Sequence, residues 1–143
     1  MRASVLLRIA AVLTLLHGVL HTIGGAFGQP PPGAQETAVL AMKANQFPAM
    51  GVMRTYWDFF MGYGLVITVG FLVQAVVFWQ LASLVKTDAG RARPMVMAFS
   101  VSYMAYAVVS LRYFFVAPVV LELVIALCLL GAWVLAARTE RMA

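Results

Sequence analysis

The sequence is poor in nearly everything a water-soluble domain needs. Only 10% of its 143 residues are charged, against about a quarter in soluble domains, so water is a poor solvent for the surface it would present. Acidic residues are the scarcer sign, five Asp and Glu against ten Lys and Arg. A single cysteine, Cys128, excludes an intrachain disulfide, and its place inside an apolar run says nothing about redox compartment. Two histidines, His17 and His21, leave little from which to build a metal centre. No motif fixes a reaction, and none names a cofactor.

What is present in excess is hydrocarbon. The chain is 64% hydrophobic, with a mean hydropathy of +0.94. The formal charge of +5 would raise the question of nucleic acid in a soluble protein. Here the basic residues flank apolar segments, the pattern of topology signals and of contacts with anionic lipid. Membrane lipids are therefore the expected partners, and nucleic acid is not.

A membrane-spanning helix needs about 20 mostly apolar residues. Four segments qualify, at about 4–27, 55–83, 94–115 and 118–137. Pro94 and Pro118 suit a first helical turn, where a missing N–H costs nothing. The fold class expected is all-α: a membrane-embedded antiparallel four-helix bundle, one domain over residues 1–143. Arg2, Arg8, Lys86, Arg91, Arg93, Arg138 and Arg141 lie at the termini and in the second loop, whereas Lys43, Arg54 and Arg112 lie on the other side. The positive-inside rule then puts both termini in the cytoplasm. Trp57 and Trp79 stand 22 residues apart, which is about 33 Å of helix and close to the hydrocarbon thickness. They mark the two interfaces, and Tyr113 and Trp133 fit the same belts. The first segment also bears a loose likeness to a cleavable signal, with Arg2 before an apolar run and Ala26-Phe27-Gly28 after it. His17 and His21 interrupt its apolar core, so it reads as a span.

Residues 28–53 form the one long loop, on the outer side. Gln29-Pro30-Pro31-Pro32-Gly33 is a stiff turn. Residues 34–46 fit a short interfacial helix, with Val39, Met42 and Gln46 on one stripe and Leu40, Lys43 and Phe47 beside it. The plainer reading is a loop that covers helix ends.

Charged and polar groups inside a bilayer are costly and usually face the bundle interior, so they are the best functional clue. If helices 3 and 4 turn at Val116-Ala117, Arg112 and Glu122 lie at similar depth, about 6–7 Å below the outer helix ends, and are natural ion-pair partners. His21 reaches comparable depth on helix 1, with His17 one turn deeper on the same face. Asp58 stands at the outer entrance of helix 2, with Arg54 one turn above. Depth thus groups His17, His21, Arg54, Asp58, Arg112 and Glu122 into a candidate ligand-binding cluster, with Tyr63, Tyr103 and Tyr106 on its inner wall. Gln74 and Gln80 fall nearer the inner face. The same residues also admit a structural reading: a surface pair at Arg54–Asp58, a hairpin staple at Arg112–Glu122, and histidines bonded to backbone. Gly24, Gly25, Gly62, Gly64 and Gly70 read first as close-packing positions.

The stretch His21-Thr22-Ile23-Gly24-Gly25 and the longer Arg54-Thr55-Tyr56-Trp57-Asp58-Phe59-Phe60-Met61-Gly62-Tyr63-Gly64-Leu65 resemble a family of small four-helix bacterial membrane proteins of uncharacterised function. Gln74, Trp79-Gln80-Leu81 and Arg112-Tyr113-Phe114-Phe115 extend the likeness over most of the chain. The resemblance implies four helices and a bacterial inner membrane, and it implies no reaction.

Four functions follow from the cluster. A small amphiphile, such as a lipid, quinone or isoprenoid, could seat its polar end at His21, Arg112 and Asp58. The chain could instead be an accessory or structural subunit of a membrane complex, or a homo-oligomer. A membrane-embedded enzyme could use His, carboxylate and Arg for acid–base chemistry. Its metal form would take His17, His21 and Asp58 or Glu122, on the weak signal of two histidines at i, i+4. A small transporter with Glu122 as proton carrier ranks last, because the charges gather on one side.

Overall fold

A computed structural model describes residues 2–140, the last three as backbone only. Arg141, counted above among the basic termini, lies outside the described residues, and so does the side chain of Arg138. Five α-helices and one two-stranded hairpin follow in the order α1 (Ala3–Leu20), α2 (Ala34–Ala44), β1 (Gln46–Ala49), β2 (Val52–Thr55), α3 (Tyr56–Thr87), α4 (Ala89–Tyr113) and α5 (Val116–Glu140). A π-helical segment, His21–Ala26, continues α1. Four of these helical stretches are long and apolar enough to cross a membrane: Ala3–Ala26, Tyr56–Thr87, Ala89–Tyr113 and Val116–Ala137. The all-α expectation and the four apolar spans are thus met.

The chain divides into two compact units. Unit 1 contains residues 1–17 and 71–143, and so has the start of α1, the second part of α3, and all of α4 and α5. Its core draws on each of the four: Leu7 and Ala10 from α1, Phe78 and Ala82 from α3, Val96 and Tyr103 from α4, and Ile125 and Leu129 from α5, all nearly or wholly buried. Phe78 meets Phe99 edge-on at 5.0 Å between ring centres, a favoured aromatic geometry. Gly131 lets α1 and α5 come close, since a Cβ there would stand 3.0 Å from Leu6 Cδ1.

The α4–α5 hairpin turns at Phe114-Phe115, two residues earlier than the sequence suggests, and Val116-Ala117 already belong to α5. The register that follows sets Arg93 against Trp133, Ser100 against Ala126 and Ser110 against Glu122. Pro118 occupies the first turn of α5, as expected. Pro94 does not begin α4: it lies inside the helix. The helix starts earlier because Asp88 caps it, its side chain accepting from the Arg91 amide at 3.0 Å, a common way to satisfy an orphan N–H.

Unit 2 contains residues 18–70. The short helix expected at 34–46 forms as α2, over Ala34–Ala44, without a buried residue. The hairpin β1–β2 was not foreseen. Its strands are only four residues each, too short to show an alternating pattern. Its Met50-Gly51 turn has positive φ at both residues, 49° and 90°, as a type I′ turn requires, but Met is an unusual residue for the first position. Gly28 is required by close approach, because a Cβ there would collide with the carbonyl oxygen of Gly24.

The core of unit 1 should respond to cavity formation as packed interiors do. Phe78→Ala is expected to cost about 3–5 kcal/mol, read by denaturant titration of the full chain in a mild detergent. A loss below about 1 kcal/mol would contradict the packing described, on the same scale.

Candidate functional site

The residues that depth alone grouped together fall into two sets, each held within its own unit. In unit 1 these are His17, Tyr103, Tyr106, Arg112 and Glu122; in unit 2 they are His21, Arg54, Asp58 and Tyr63.

In unit 1 the polar groups are buried. The Tyr103 side chain is fully enclosed, and its hydroxyl lies 3.0 Å from that of Thr14 on α1. Tyr106, partly exposed, stands edge-on to Tyr103 at 5.4 Å. One turn beyond Thr14 on α1, His17 is buried with its ring on Phe71 of α3, 4.3 Å between centres. Ser110 donates to Glu122 Oε1 at 3.0 Å. Gln74, on the α3 face that carries Phe71 and Phe78, holds a buried Oε1 with no hydrogen bond. Sequence reasoning set Gln74 aside and gave no weight to Thr14 or Ser110. Their signal is polarity on the buried face of an apolar helix.

The expected Arg112–Glu122 ion pair is absent. Among the described residues the one ion pair is Arg91–Asp88, 3.2 Å, on an exposed helix start, where such pairs contribute little. Arg112 is exposed, its guanidinium over the ring of Tyr113 at 5.5 Å. The early turn explains this: it leaves Arg112 at the mouth of the hairpin and brings Ser110 opposite Glu122.

In unit 2, Asp58 serves first as a helix cap. Thr55, at the N-cap of α3, accepts from the Asp58 amide through Oγ1 at 3.1 Å, and Asp58 Oδ2 accepts from the Thr55 amide at 2.7 Å. This reciprocal pair is a capping box, and Thr55-Tyr56-Trp57-Asp58 is its legible signature. Arg54 makes no ion pair with Asp58; its Nη1 donates to the Met53 carbonyl at 2.9 Å. The two residues nevertheless line one groove of about 310 Å³ with Phe59, Gly62, Tyr63 and Val66. Gly62 has open space where a side chain would be, and Tyr63 is largely exposed.

His21 is bound elsewhere. Its Nε2 lies 3.1 Å from the Gly64 carbonyl, and because a carbonyl only accepts, Nε2 carries the hydrogen. Thr22 donates to the Gly18 carbonyl at 2.6 Å and meets the Thr68 hydroxyl at 2.9 Å, where the first helix widens from α to π. A threonine bonded back to residue i−4 bends a helix, and π segments recur at functional positions. Gly64 packs on Ala26, while Gly24, Gly62 and Gly70 face open space, so close packing accounts for only part of the glycine set. A smaller cavity of about 100 Å³ lies among Phe27, Gly28, Lys43, Trp57 and Met61, with the Lys43 ammonium 4.5 Å from the Trp57 ring centre.

The metal reading gains no geometry, since no three His, Cys, Asp or Glu side chains converge among the described residues. Comparison with protein-family models, curated proteins and solved structures finds no match to this chain.

The capping box has a direct test. Thr55→Val and Asp58→Ala should each speed hydrogen exchange of the Trp57–Phe60 amides, and the double variant should exceed either by little, because each removes half of one reciprocal pair. Arg54→Ala should leave that exchange unchanged. Additive effects of the first two would show that the bonds act independently.

Proposed function

We propose that this chain is a four-span protein of the bacterial inner membrane, an antiparallel bundle with both termini cytoplasmic, which holds the polar end of an anionic amphiphile in the groove at the start of α3. Support for the membrane comes from the surface. Large apolar side chains remain exposed along every span, among them Val12, Val66, Val101 and Leu127, each more than half exposed. Soluble monomers rarely present such continuous apolar area. Orientation rests on the basic residues, and the bacterial source on the family resemblance.

The tryptophans agree. Each carries a cation on its ring: Lys43 on Trp57, Arg8 on Trp79 at 5.2 Å and Arg93 on Trp133 at 5.2 Å. Aromatic rings and basic heads together suit the headgroup level of a membrane.

The observation that carries the binding reading is the groove. Its volume falls at the lower end of ligand pockets, about 300–1,000 Å³. One wall is apolar, from Phe59, Tyr63 and Val66, and one end is polar, from Arg54 and Asp58. The Asp58 carboxylate is engaged by the Thr55 amide, whereas Arg54 commits one nitrogen to backbone of a guanidinium with five donors. That arrangement selects an acyl or isoprenoid chain with a phosphate or carboxylate head.

Mass spectrometry of the gently purified full chain, covering small molecules, tests this. The wild type should retain a stoichiometric anionic amphiphile. Arg54→Ala should weaken retention by about tenfold, the order expected when one charge-assisted bond is lost. Gly62→Leu, whose Cβ would meet no atom within 4 Å, should fill the groove and abolish retention, while Arg112→Ala should change nothing. Equal retention in Arg54→Ala and Gly62→Leu would refute the groove.

A second reading, that of an accessory subunit, draws on a separate feature. Around the first part of α3, Phe60, Leu65, Val66, Ile67 and Val69 are exposed on several sides. A protein partner recovered at fixed stoichiometry, with no small molecule, would favour that role.

A further inference from the structure

Unit 1 encloses one carboxyl group. Glu122 is 5% exposed. Ser110 donates to Oε1 at 3.0 Å, and Oε2, buried as well, receives no hydrogen bond. No lysine or arginine pairs with it among the described residues; Arg112, the basic residue nearest in sequence before it, is exposed over Tyr113.

The other polar groups of the unit 1 interior can be named element by element. From α4 come Tyr103 and Ser110, with Tyr106 edge-on to Tyr103. From α1 comes Thr14, bonded to Tyr103, and one turn further His17, whose ring lies on Phe71. From α3 comes Gln74, whose buried Oε1 also lacks a donor. Of these only His17 can become cationic, and its ring packs on an aromatic face. Ser110 is thus the one hydrogen-bond donor to the Glu122 carboxyl group among the described residues, and no cation forms an ion pair with it there.

An ionised carboxylate in such surroundings costs several kcal/mol unless it is paired and fully hydrogen-bonded. The neutral acid escapes the charge penalty and keeps only the smaller cost of an unpaired polar atom, about 1–3 kcal/mol. We propose that Glu122 is a proton-binding site, its carboxyl group holding a proton at neutral pH in the folded chain. In uptake one O–H bond forms on the carboxyl group, the proton comes from hydronium, and no electron moves. This site is independent of the unit 2 groove and stands whatever that groove binds.

The experiment is infrared spectroscopy of the full chain in a mild detergent, joined to labelling with a hydrophobic carbodiimide, which reacts with protonated carboxyl groups in apolar surroundings. At neutral pH the wild type should show the carbonyl stretch of a protonated carboxyl group, and Glu122→Gln should lack it. Peptide mapping should place a stoichiometric N-acylurea adduct on Glu122, with Glu36 and Asp88 unlabelled. Ser110→Ala should keep the band, because the donor that favours the ionised form is gone. A folded wild type with no such band, a band that survives in Glu122→Gln, or an adduct absent from Glu122 would each overturn the proposal. The adduct map uses the wild type alone, so a Glu122→Gln chain that fails to fold leaves the test intact.

Discussion

Two residues between α4 and α5 decide which side chains meet across that hairpin. A link as short as Phe114-Phe115 leaves the helices no freedom to slide, so the register is fixed at the turn and carried down both helices. The polar contacts between α4 and α5 inherit it. Ser110 rather than Arg112 comes opposite Glu122, Ser100 reaches the Ala126 carbonyl at 3.3 Å, and Arg93 arrives over Trp133. A single shift at the turn would exchange a hydroxyl for a guanidinium beside the buried carboxyl group, and with it a neutral interior for a charged one.

The energies favour the neutral arrangement. A hydrogen bond within a folded chain contributes about 0.5–1.5 kcal/mol net, so the Thr14–Tyr103 and Ser110–Glu122 bonds are modest individually. Their larger role is to avoid unmade bonds, since an unsatisfied buried polar group costs about 1–3 kcal/mol. A buried ion pair would have to recover a desolvation penalty of several kcal/mol per ion. With Arg112 free to reach the outer surface and stack on its neighbour, that recovery has no advantage.

What the sequence makes legible is whatever depends on distance along a helix. The four apolar spans and the short helix at Ala34–Ala44 follow from counting residues. What it leaves hidden depends on rotation and on short-range backbone geometry. Depth placed Arg112 level with Glu122, but depth is one coordinate, and a two-residue error in the turn was enough to separate them. Asp58 is a candidate ligand by its charge beside an apolar span, and the cap it makes is legible too, since Thr55 three residues earlier spells a capping box. Pro94 was taken for a helix start, yet Asp88 offers the stronger cap. The β1–β2 hairpin escaped because four-residue strands carry no period and Met50 is an unusual turn residue. Gly62 was assigned to packing, when its missing side chain instead opens the groove beside Arg54.

The two signs of charge are treated differently throughout, and solvation chemistry gives the reason. Cations have a use at the edge of an apolar protein: an Arg or Lys head over an aromatic ring gains about 0.5–1 kcal/mol at an exposed site, while its methylene stem covers apolar surface. Arg8, Lys43, Arg93 and Arg112 all take that option. Carboxylates repel the ring face and have short stems, so they must find N–H or O–H donors or carry a proton. Asp58 and Asp88 find amides at helix starts, where the backbone has donors to spare. Glu122 lies beyond the first turn of α5, where backbone donors are already spent on the helix, and one serine hydroxyl is all that α4 supplies. The unequal distribution of donors therefore leads to the same end as the burial: two acidic groups held by helix N-termini, and a third whose remaining partner is the proton itself.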